Sequence, residues 1–146
     1  MRGWCGPTAM RVSLACQGKI YSQKRLARLI EADHDDGCDP PDFIMAARQL
    51  GHTGHFEENC SLEDILKYVH QGIPPIIGMH TPEGGDHWVA GLGFKNGLFV
   101  YADPQFGEVR KMHRGLFNER YWFGCYDLQP TCKNHIFERG MIIIQK

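Results

Sequence analysis

Along the chain the apolar positions change their spacing near Gly72. Before it they recur three or four residues apart, as on one face of a helix. The first such stretch, Pro7 to Gln17, has Pro7 in its first turn and Gly18 just past its end, with Ala9, Met10, Val12 and Leu14 along it. Ser22 can cap a second helix through Leu26, Leu29 and Ile30. The turn residues of DGCDPP lead into a third helix, expected from about Pro41 and closed by Gly51. Ser61 and Asp64 have the spacing of a capping box and open a fourth helix that runs to about His70.

Beyond Gly72 the pattern is that of strands. IPPIIGMH, HWVAGLGF, GLFVYADP and EVRKMH are short runs rich in β-branched and aromatic residues, separated by Gly, Pro, Asn and Asp. RGLFNERYW reads as one more short helix and MIIIQK as a last strand. There is no internal repeat, low-complexity tract or linker, and 146 residues suit one domain over residues 1–146. Helices first and strands later predict an α+β fold.

Composition narrows the classes of function. A hydrophobic content of 42% with 23% charged residues is that of a globular chain able to bury a core. The 16 Lys and Arg balance 17 Asp and Glu, and no basic block stands out, which argues against nucleic acid or an anionic membrane as the main partner. No apolar run is long enough to span a bilayer and no signal-peptide core is evident, so the default expectation is a cytoplasmic protein without membrane insertion. Six cysteines at irregular spacing read mostly as reduced thiols. Cys125 and Cys132, with His135 and His113, match no common zinc spacing; a disulfide between the two cysteines, or two unpaired thiols, is expected instead. No metal or organic cofactor is implied.

The candidate chemistry begins at GWCGPTAM. Cys5 stands just before the expected first helix, where unpaired N–H groups and the helix dipole favour the ionised thiolate, the nucleophilic form. Cys16 points the same way but lies about 16 Å further along the axis, too far for a disulfide, and is expected in the core. An imidazole is needed to share the proton, and His87 is placed for it, opening the strand HWVAGLGF after the loop Thr81 to Asp86. That loop would border the cleft, and Trp88 could either shield the pair from water or face the core. His34, His52, His55, His70 and His80 lack an acidic strand-end partner and read as packing or solvated residues. Asp103, at the end of LFVYADP, could hold the imidazole in one tautomer.

Strand register decides whether that third contact is possible. A two-residue Asn96-Gly97 turn pairs Lys95 with Leu98, puts Asp103 opposite Ala90, and turns it away from His87. A three-residue loop with a left-handed Gly97 pairs Phe94 with Leu98, and Asp103 then falls opposite Val89 on the face of His87. A triad requires the bulged register, and the sequence permits both.

In this order WCGPTAM, GGDHWVAGLGF, LFVYADPQFG and GLFNERYW resemble the papain-like bacteriocin-processing peptidases, the double-glycine leader peptidases of bacteriocin-exporting transporters and their stand-alone relatives. SLEDILKYVHQGIPPIIGMH resembles the family's helix leading into its first central strand. The similarity covers about one domain of 120–150 residues. It implies helices packed on an antiparallel sheet, a cleft between them, and a peptide or protein substrate. Carried over by position, Cys5 is the nucleophile, His87 the general base and acid, and Asp103 the residue that orients His87. The family's upstream glutamine, an oxyanion donor, has no counterpart among Met1, Arg2, Gly3 and Trp4, which leaves the Cys5 backbone N–H to donate. The leading expectation is a thiol hydrolase cleaving a peptide bond. The alternatives are a catalytically weak or inactive peptide-binding module of the same fold, and an acyltransferase using the same nucleophile.

Overall fold

The computed structural model describes residues 5–30, 39–80, 86–104, 107–127 and 134–145. Four helices are long enough to pack as units: α1 (Cys5–Cys16), α2 (Gln23–Ile30), α3 (Pro40–Gln49) and α4 (Leu62–His70). The strands are β1 (Thr53–Glu57), β2 (Ile76–His80), β3 (Asp86–Lys95), β4 (Leu98–Asp103), β5 (Glu108–His113), β6 (Phe123–Asp127), β7 (Asn134–Glu138) and β8 (Met141–Gln145). Six form an antiparallel sheet in the order β1-β8-β2-β3-β4-β5, while β6 and β7 pair as a separate ribbon. This is the α+β architecture expected from helices first and strands later.

Local chemistry accounts for the helix ends. The Ser61 hydroxyl accepts from the Asp64 N–H at 3.2 Å, and the Asp64 carboxylate accepts from the Ser61 N–H at 2.8 Å. At α3 the Asp42 side chain likewise accepts from the Asp39 N–H, at 2.8 Å. The expected helix RGLFNERYW divides in two. Arg114–Leu116 is a single α-helical turn and Phe117–Tyr121 a π-helical one, which turns Phe117 and Trp122 into the core.

The sheet is covered on both faces. Ile76, Ile142, Ile144 and Trp88 meet α1, α2 and α3 through residues such as Met10, Leu14, Leu26 and Phe43. Their neighbours Ile77, Met141, Ile143 and Val89 pack instead with Ile65 of α4, Phe117 and Trp122. Burial on both faces makes MIIIQ a central strand and explains why it reads as a continuous apolar run. Trp88 is a core residue, its ring 5.0 Å from that of Phe43. Beside it Gly78 has no room for a side chain, because a Cβ there would stand 2.8 Å from the Phe137 ring.

Three strands and one cysteine depart from the sequence reading. β1 was not expected: it pairs with the distant β8 at the sheet's edge, and none of its residues is fully buried. β6 and β7 lie in a stretch with no clear apolar alternation and find their order in each other. Cys16 is exposed at the end of α1, not in the core, because the buried face of the helix is Ala9, Met10, Ser13 and Leu14.

Two hydrogen bonds aim α1. The buried Ser13 hydroxyl donates to the Pro74 carbonyl just before β2, and Gln17 Nε2 donates to the Ile144 carbonyl at 2.7 Å. They anchor the C-terminal half of the helix to the sheet, and its first turn reaches the end of β3 that carries His87.

Candidate active site

The β3–β4 hairpin resolves the register question in an unexpected way. Its turn is the two-residue one: Lys95 pairs with Leu98, and Asn96 and Gly97 both adopt positive φ, 54° and 79°. The extra residue needed for a triad sits further down the strand. Gly91 pairs with Tyr101 and Gly93 with Val100, so Leu92 is bulged out between them. Gly93 takes φ 127°, a conformation that L side chains rarely adopt. Beyond the bulge Ala90 pairs with Ala102, which sets Asp103 opposite Val89 and on the face of His87. Of the two registers left open, the bulged one that a triad requires is present, with the bulge at Leu92 and not at Gly97.

The three candidate residues come together at this end of the sheet. His87 Nε2 donates to Asp103 Oδ1 at 2.6 Å, with the carboxylate side chain fully buried and the imidazole nearly so. A second hydrogen bond joins the His87 side chain to Cys5 in the first turn of α1. Cys5 belongs to the helix itself, where the sequence reading put it just ahead of one starting at Pro7. Its side chain is only partly buried, so the sulfur is not sealed into the core.

Burial alone would push the His87 pKa down. The hydrogen bonds to Asp103 and Cys5, with the charges of both, outweigh that effect and raise the pKa to about 9. At neutral pH the imidazole is thus protonated, with a carboxylate against Nε2.

Sequence reasoning missed one participant. Arg110, on β5 opposite Tyr101, donates from Nη1 to Asp103 Oδ2 at 3.4 Å. The signal was the alternation of EVRKMH, which puts Glu108 and Arg110 on one face once β5 is paired with β4.

The remaining candidates separate from this site. Residues 81–85 of the loop expected to border the cleft lie outside the described residues, as do His34 and Cys132 and, with Cys132, the Cys125–Cys132 pairing and the zinc alternative. His113 caps the following helical turn by accepting from the Gly115 N–H at 3.1 Å. His52 is buried and hydrogen-bonded to the Tyr21 hydroxyl, as a packing residue should be. His55 does have an acidic strand-end partner, contrary to expectation: Glu57, two residues along β1, at 2.7 Å. The same Glu57 accepts from the Tyr68 hydroxyl at 3.0 Å and lies by the buried Cys60, whose pKa rises to about 12 through burial and the nearby carboxylates. Among the described residues no group of three or more His, Cys, Asp or Glu side chains is arranged to hold a metal.

Solved structures share the fold. The peptidase domain of Streptococcus ComA, a bi-functional ABC transporter involved in quorum sensing, superposes with a TM-score of 0.70 at 18% identity, over 97% of this chain and 90% of that one. A double glycine motif protease from an AMS/PCAT transporter, solved in complex with the leader peptide, gives 0.69 at 18% identity over 99% and 86%. The Streptococcus mutans ComA peptidase domain gives 0.56 at 15% identity over 82% and 84%. The fold is that of these transporter peptidase domains. The chain itself belongs to the Peptidase_C39 like family, whose model matches residues 1–123. No curated protein matches at a significant level.

Proposed function

We propose that this protein is a cysteine peptidase that cuts a peptide bond through an acyl-enzyme on Cys5. The observation that carries the reading is His87, buried and hydrogen-bonded to Asp103 at 2.6 Å on one side and to Cys5 on the other. Family membership supports the same reaction class.

With Nε2 engaged by the carboxylate, Nδ1 is the nitrogen left to face the sulfur. The thiolate attacks the scissile carbonyl carbon, and the Cys5 N–H, in the first turn of α1 where N–H groups have no intrahelical partner, donates to the oxyanion. His87 then passes its proton to the departing amine as the C–N bond breaks. Neutral His87 next takes a proton from water, whose oxygen attacks the thioester; the C–S bond breaks, which frees the carboxylic acid and returns Cys5 as the thiolate beside protonated His87. Asp103 keeps the imidazole in one tautomer and orientation throughout.

One of the solved structures suggests the substrate to offer first. It is named a double glycine motif protease and was solved in complex with the leader peptide. A synthetic peptide with an internal Gly-Gly pair should be cut after the pair by wild-type protein and left intact by Cys5→Ala. Asp103→Asn should slow cleavage by on the order of 10²- to 10⁴-fold. A peptide that binds equally to both forms and is cut by neither would make the protein a binding module. An amide product formed with an added amine would make it an acyltransferase.

A further inference from the structure

We propose that Arg110 is a positioning residue for the Asp103–His87 pair, clamping the second carboxylate oxygen and setting the pH range over which the Cys5–His87 pair is charged. The inference rests on the peptidase reading above. The Asp103 side chain is fully buried, with Oδ1 on His87 at 2.6 Å and Oδ2 on Arg110 at 3.4 Å. A carboxylate held through one oxygen can swing about its last bond; held through both, it keeps Oδ1 aimed at Nε2. Strand pairing builds this clamp. Arg110 stands opposite Tyr101, one alternation from Glu108, which is itself opposite Asp103, so the guanidinium reaches the carboxylate diagonally.

The clamp is also electrostatic. Among the described residues, the charged groups that act on His87 directly are Cys5 from α1 and Asp103 from β4, while Arg110 of β5, with Glu108 beside it, reaches His87 through the Asp103 carboxylate. Glu108 is largely exposed and 4.0 Å from the Arg110 Nε, so it offsets little of the guanidinium charge. His80, at the end of β2, stacks on Phe123. The Arg110 cation opposes the carboxylate's pull on the His87 proton and favours the thiolate. Removing it should therefore make the thiolate harder to form and the imidazolium harder to deprotonate.

Both effects move the same way, which a merely structural contact would not produce. The test is the rate of iodoacetamide labelling at Cys5, followed by peptide mass across pH. Wild type should show two steps, one as the pair charges and one as His87 loses its proton. Arg110→Gln should move both midpoints upward by about half a pH unit or more, and Arg110→Lys should return them toward wild type. Arg110→Met, which keeps the apolar stem, serves the same purpose if the Gln variant does not fold. Unmoved midpoints in a folded variant, whatever the change in rate, overturn the proposal. A wild-type profile with one ordinary thiol step would instead overturn the peptidase reading itself.

Discussion

An imidazole buried between a carboxylate and a thiol ties stability to pH as well as chemistry. The His87 pKa rises from 6.5 in the unfolded chain to about 9 in the fold, so the folded state holds the proton more tightly. The resulting stability is complete below pH 6.5 and is lost as pH rises through about 9. Urea unfolding of wild type should accordingly lose midpoint across that window, and His87→Gln should lose markedly less. An equal loss in both would deny His87 its raised pKa. Cys5, His87 and Asp103 were legible in the sequence because each sits where an element begins or ends, next to Gly-Pro, Gly-Gly-Asp or Pro. Arg110 was not, since its role exists only once β5 is paired with β4 and the guanidinium can reach across. His55 was misread for a similar reason: its acidic partner shares a strand that the sequence did not announce.

The element that makes the site possible is the bulge in β3. Without Leu92 bulged out, the Asn96-Gly97 turn would leave Asp103 opposite Ala90 and facing away from His87. The need for one extra residue followed from counting along the hairpin. Its location did not, because Gly97 and Gly93 can both take positive φ, and Asn-Gly already satisfies the tighter turn. Gly93→Val should place a β-branched side chain at φ 127° and cost about 1–3 kcal/mol, measurable as a drop in urea midpoint at constant m-value. A neutral effect would mean that the strand accommodates the bulge without needing glycine.

Across the whole molecule, the site depends on a helix from one half of the chain meeting a sheet from the other. That division into helices and strands was readable from the change in apolar spacing at Gly72. The edge strand β1 and the β6–β7 ribbon were not, since each is ordered by partners far away in sequence or by the fold around it. α1 spans the join, and the Ser13 hydroxyl on the Pro74 carbonyl is its buried tether. Ser13→Ala should leave that carbonyl unsatisfied and cost about 1–3 kcal/mol of stability. It should also lower peptide turnover by loosening the aim of Cys5. Unchanged stability would show that the tether carries no weight.

The central claim is that Cys5 and His87 act as a pair, and the most direct measurement uses the cysteines already in the chain. Native protein is labelled briefly with iodoacetamide at pH 6, and the extent at each cysteine is read by mass. Exposed Cys16 serves as an accessible reference thiol, and buried Cys60, with its pKa pushed up to about 12, as a silent one. The account predicts that Cys5 outpaces Cys16 by at least about tenfold and that His87→Ala removes the advantage. Cys5 labelling no faster than Cys16, or as fast in His87→Ala as in wild type, would contradict it.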